Sequence, residues 1–290
     1  MEKNEKEFYV GYLEKAPKGI AKFLKLTIPI VTILVIVVGT LISFSQKEFD
    51  NSTFEFGVYK EITGVIYQSP YPMIRVTDSE GIAKNFLLAV FGKDNPRDLL
   101  KRYEAQIGKP LDQMLTKVSG SLIYHDGKTM LELDFDLDSF LESKPLDQIE
   151  KRKTKDLGQY TLAGEILDTK CFLGVMKPGN GKAHRSCAVR CIAGGIPPAV
   201  GIVDENGFSQ YALLVNGKGE PINQEVLPYV GKQLEITGNL ETLDDWKILR
   251  VENIDKAIAL KEASALERLL ALFENDEPDM PLIASCATVY

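Results

Sequence analysis

An uninterrupted apolar run at residues 26–44, LTIPIVTILVIVVGTLISF, constrains this chain more than any other feature. Its nineteen uncharged residues, at 1.5 Å each, make a helix of about 28 Å, which matches the hydrocarbon thickness of a bilayer. Pro29 is expected in the first turn of that helix, where a missing N–H costs little, and Thr32, Thr40 and Ser43 can bond back to helix carbonyls. A cleaved signal peptide would carry a shorter apolar region and a small-residue cleavage site. Here 25 residues precede the run and SQKEFDNS follows it, so a retained anchor is expected. Lys15, Lys18, Lys22 and Lys25 lie before the run, whereas only Lys47 follows closely, beside Glu48 and Asp50. The positive-inside rule then places residues 1–25 in the cytoplasm, a single membrane helix at 26–45, and the remaining mass on the other side.

About 245 residues remain beyond the anchor, enough for two modest domains. The formal net charge is −7, and an acidic body outside the cytoplasm is a poor partner for nucleic acid. An internal repeat sets the fold expectation. Residues 118–133, VSGSLIYHDGKTMLEL, align without a gap on 236–251, ITGNLETLDDWKILRV. Gly120 meets Gly238, Asp126 meets Asp244, and Met130 meets Ile248. Each segment reads as strand, polar turn and strand. Upstream, Ile62-Thr63-Gly64-Val65-Ile66 corresponds to Leu162-Ala163-Gly164-Glu165-Ile166. Short alternating strands with a glycine in the first and a closing hairpin predict a small five-stranded Greek-key barrel, twice over. The expected architecture is mainly β: the transmembrane helix, two tandem oligonucleotide/oligosaccharide-binding (OB)-like barrels at 54–142 and 158–256, and a charged linker at 143–157. A C-terminal amphipathic helix and tail at 257–290 complete it. Ile258, Leu266, Leu269, Leu270 and Phe273 give that helix an apolar stripe, and a lone Cys286 sits in the tail.

The repeat isolates what is unusual. Twenty positions separate Ile66 from Phe86, whereas 46 separate the corresponding Ile166 and Ala212. The extra residues hold Cys171, His184, Cys187 and Cys191, and the first copy has no cysteine. Its sister barrel manages without these residues, which points to a role beyond folding. His184, Cys187 and Cys191 stand at i, i+3 and i+7 and share one face of a predicted short helix, which Gly194-Gly195 ends. Cys171 follows the first strand and can return to that face. Three sulfurs and an imidazole make a ligand set for zinc or copper, or less readily an iron–sulfur cluster, with Asp168, Lys170 and Arg185 as supporting charges. A disulfide from Cys171 to Cys187 or Cys191, with no cofactor, is the competing reading.

The second copy resembles a group of small, mostly uncharacterised bacterial envelope domains. The resemblance rests on residues 164–168 (Gly-Glu-hydrophobic-x-Asp), Cys171, the His-x-x-Cys-x-x-x-Cys at 184–191, and the hairpin at 236–251. It covers about a third of the chain and brings no firm activity. It implies the inner (cytoplasmic) membrane of a bacterium, crossed once, with periplasmic domains. It also implies subunits of an envelope redox complex as partners, beside the lipid bilayer.

Other motifs fail. Residues 177–182 mimic a phosphate loop, but Met176 and Ala183 occupy positions that need Gly and Ser/Thr. A Cys–His nucleophile lacks a legible third residue to orient it. His125 is expected in a surface turn. Tyr59, Tyr67, Tyr71 and Phe86 could form a stacking platform in the first barrel. The expectation is therefore an accessory or binding protein with a cysteine-based metal or redox-thiol site, the alternative being a structural scaffold subunit. A thiol-dependent enzyme ranks below both.

Overall fold

The structure, a computed structural model, describes residues 17–46, 51–148, 151–203 and 209–259. It divides into an N-terminal unit to Phe49 and a second unit from Asp50 onward.

Among its described residues the N-terminal unit is one helix, α1 (Lys18–Ser45), with no buried residue and a mean hydropathy of 2.5 over its most apolar window. It is long and apolar enough to cross a membrane. The helix begins eight residues before the apolar run, so Pro29 lies inside it rather than in its first turn. The Thr40 hydroxyl donates to the Ile36 carbonyl at 2.8 Å, satisfying a polar group that lipid could not.

The second unit is mostly β. Its first half contains β1 (Thr53–Tyr67), β2 (Met73–Thr77), β3 (Ala83–Val90), α2 (Pro96–Ile107), β4 (Leu115–His125), β5 (Lys128–Leu133) and β6 (Phe140–Lys144). Hydrogen-bonded neighbours run β1-β2-β3-β5-β4 and return to β1, which closes a five-stranded barrel. Ile66, Ile74, Leu88, Leu131 and Leu133 fill it, capped by Leu99, Leu100 and Tyr103 of α2. That helix has legible ends. Asn95 caps its start by accepting from Arg97 N, Pro96 occupies the first turn, and Gly108 closes it at φ 68°.

The second half contains β7 (Thr154–Asp168), α3 (Gly181–Ala193), β8 (Pro198–Val203), β9 (Ser209–Asn216), β10 (Gln233–Leu243), β11 (Trp246–Val251) and β12 (Ile258–Ala259). This second sheet repeats the first in register. The parallel pair Leu87↔Met130 has its counterpart in Leu213↔Ile248, and Gly64↔Thr116 in Gly164↔Leu234. At Gly64, Gly120, Gly164 and Gly238 a Cβ would strike the carbonyl of Arg75, Glu132, Gly201 and Arg250 respectively. Strong coiling brings the neighbouring backbone too close for a side chain, so all four repeat glycines have one cause. The turn residues Asp126 and Asp244 correspond as well, at φ 46° and 55°.

The two halves share an apolar cluster that includes Tyr71, Met73, Leu87 and Ile123 from the first and Leu167, Phe172, Leu213 and Trp246 from the second. Tyr71 Oη donates to Leu214 O at 2.6 Å, and Trp246 Nε1 donates to Asn85 O at 2.7 Å. The interface changes two expectations. His125 is buried there, 5.7 Å from the Phe172 ring between centroids, instead of lying in an exposed turn. Tyr67 and Tyr71 are buried, which removes them from any stacking platform. At the head of the expected C-terminal helix, Ile258 and Ala259 pair with β10 as a strand. The rest of that helix, and Cys286, lie outside the described residues.

Candidate functional site

The long insertion is the connection from β7 to β8. β7 ends at Asp168, whose Oδ1 accepts from Cys171 N at 2.8 Å and starts a wide turn, Cys171–Val175. Asp168 Oδ2 lies 2.9 Å from His184 Nε2, and both side chains are buried. One carboxylate thus ties the turn to α3. Glu165 Oε1 accepts from Gly181 N at 2.7 Å, and burial raises its carboxyl above the ordinary value despite that bond and the neighbouring His184.

These ties fold the turn against the helix and bring the thiols together. The sulfurs of Cys171, Cys187 and Cys191 all lie within 4.8 Å of one another, and Cys171 Sγ and Cys187 Sγ are 3.9 Å apart. That is far beyond a disulfide length of about 2.05 Å, and all three are free thiols. Cys171 and Cys191 are buried in the shared apolar cluster, and Cys187 is half-buried at its edge. The hydrogen bond between Cys171 and Cys191, together with burial, pushes the Cys171 thiol up. The same bond holds Cys191 below the ordinary thiol range, outweighing its own burial.

The four residues read from the sequence fall into two overlapping groups. One is Cys171, Cys187 and Cys191; the other is Asp168, Cys171 and His184. From His184 to Cys191 the helix rises seven residues, about 10.5 Å, whereas Cys187 and Cys191 are one turn apart. Of the supporting charges, Asp168 is in place. Lys170 turns away to the outer face of the first barrel, where its Nζ meets Glu132 Oε1 at 2.5 Å and the carbonyls of Val90 and Gly92, each at 2.8 Å. Arg185 is exposed and packs its aliphatic stem over Gly231.

The cation beside the thiols is Lys93, which sequence reading did not single out. Its Nζ lies 3.3 Å from Cys187 Sγ. Burial works against its charged form, but the hydrogen bond to Cys187 and the nearby sulfurs prevail and raise its pKa. Two features deliver it. Lys170 grips the end of β3, two residues away. Gly194 and Gly195 let residues 93–95 approach the end of α3, since a Cβ on either would strike Lys93 O or the Asn95 side chain. The glycine pair that ends the helix also admits the first barrel. Only the Gly-Gly was legible in the sequence; its partner lies about a hundred residues away.

Fold and site together define a mostly β protein with an N-terminal apolar helix and a cluster of cysteine, aspartate and histidine that could hold a metal ion. No family model matches the chain, and no curated protein matches it.

Proposed function

We propose that this chain is a membrane-anchored accessory protein whose second barrel carries a cysteine-based metal site facing the non-cytoplasmic side. The observation that carries the reading is the convergence of three free thiols from two separate elements, the turn after β7 and helix α3, within 4.8 Å. Three such sulfurs are a soft ligand set of the kind that selects zinc, copper(I) or iron–sulfur centres. The strand order and the matched registers support reading the body as two OB-type barrels in tandem. The lysines before the apolar run support a cytoplasmic N-terminus and a periplasmic body. The resemblance of residues 164–251 to bacterial envelope domains supports a partner among envelope redox complexes. Metal analysis of the full chain purified under reducing conditions tests the reading. Stoichiometric metal that disappears in Cys187→Ser supports it, and metal-free protein with an unchanged Cys187→Ser variant sinks it.

One observation favours a second reading, a thiol–disulfide redox centre. Cys187 is partly accessible, has an ammonium at 3.3 Å, and faces Cys171 Sγ at 3.9 Å. Quantitative Cys171–Cys187 disulfide in protein isolated without reductant would favour that role, or a scaffold stiffened by the bond, over metal binding. A catalytic nucleophile is disfavoured at Cys171, since the thiol beside the Asp168–His184 pair is only 2% exposed.

A further inference from the structure

The three thiols, their surroundings and the fourth position around them also restrict which metal they fit. We propose that the site is built for a soft monovalent ion bound by three sulfurs, copper(I) chemistry, and against zinc; this rests on the reading that the thiols hold a metal.

Three sulfurs about 2.3 Å from a central ion in a trigonal plane stand about 4.0 Å apart, and Cys171 and Cys187 are already 3.9 Å apart. Closing the set around an ion needs little movement. Structural zinc takes four ligands in a tetrahedron. The residue that would complete it is His184, but its imidazole groups with Asp168 and Cys171 and not with Cys187 or Cys191. Water is a poor substitute on the inner side, where Cys171 and Cys191 lie in an apolar cluster with Leu167, Phe172 and Ile196.

The open side is occupied by Lys93, whose Nζ is 3.3 Å from Cys187 Sγ. An ammonium does not ligate, having no lone pair. It repels a divalent ion twice as strongly as a monovalent one at the same distance. Coordination number, ligand softness and local charge therefore point the same way.

The test uses the full chain in detergent, in a Cys286→Ser background, reduced and free of oxygen. Copper(I) and zinc(II) are added separately, with affinities from competing chelators and the coordination shell from X-ray absorption. Copper(I) should bind one per chain with a shell of three sulfurs and no nitrogen, and His184→Ala should leave this unchanged. Zinc should bind more weakly than about 1 μM and should tighten in Lys93→Met. Cys191→Ser should weaken copper(I) by about 100-fold or more, beyond what loss of a supporting residue costs. Zinc held tightly with a nitrogen ligand that vanishes in His184→Ala would overturn the inference while leaving the metal reading intact. So would a copper(I) shell of two sulfurs, or unchanged zinc affinity in Lys93→Met. Retention of neither metal would overturn the metal reading itself.

Discussion

Replacing Lys170 with methionine should loosen the join between the two halves of the body more than any surface change. The side chain leaves the second half and ends against the outer face of the first barrel, where it is 2% exposed against a Glu132 that is 6% exposed. The ion pair measures 2.5 Å, and the Val90 and Gly92 carbonyls take two further bonds at 2.8 Å. Methionine keeps the stem but leaves a carboxylate buried without its cation, a loss of about 3–5 kcal/mol. With a urea dependence near 2 kcal/mol per molar, the unfolding midpoint should fall by about 2 M. Trp246 reports this directly, because it is the only tryptophan in the chain and its Nε1 is bonded to Asn85 across the join. The measurement is Trp246 emission against urea for wild type, Lys170→Met, Glu132→Leu and the double variant. The double variant should be more stable than the summed singles predict by at least about 1 kcal/mol, since removing both charges leaves neither stranded. A Lys170→Met loss below about 1 kcal/mol, or strict additivity, would mean that the lysine head is solvated and that the cross-barrel bonds are not made in solution.

Three further outcomes are expected. Gly194→Ala should destabilise the body by about 1–3 kcal/mol, because its Cβ meets the Lys93 carbonyl, and thermal denaturation of the variant checks this. Glu165 has its carboxyl raised by burial from the ordinary 4.5, so between 4.5 and its folded value the native state holds more protons than the unfolded state. Stability then falls as pH rises through that window, and Glu165→Gln should flatten the curve there; an unchanged slope in denaturation scans refutes the assignment. In a Cys286→Ser background under reducing, metal-free conditions, native alkylation should mark Cys187 first, the one half-buried thiol of the three. Peptide mapping that finds Cys171 or Cys191 labelled at the same rate would contradict the packing.

Much of the fold was legible because it is periodic or local. The apolar run needed only length and the absence of charge. The gapless repeat located the hairpins β4–β5 and β10–β11, and its glycines marked places where strands crowd one another. Helix α2 was equally legible from Asn95-Pro96 and Gly108, though these signals were not read as a helix. The start of α1 was not, because a helix continues past its apolar part wherever the flanking residues tolerate it.

The sequence by itself determined that a cysteine-rich helix would stand between two strands of the second sheet, with Cys187 and Cys191 one turn apart. Only the tertiary structure decided which groups meet there. Asp168 takes His184, Lys170 leaves for Glu132, Lys93 arrives from the first barrel, and His125 is buried against Phe172. Helix and strand periods say which side chains share a face. They carry no information on how far apart along that face two ligands lie from a third element, or on which loop of another barrel will close over them. Those outcomes follow from packing two sheets through a common apolar cluster, and that packing places a lysine beside three thiols.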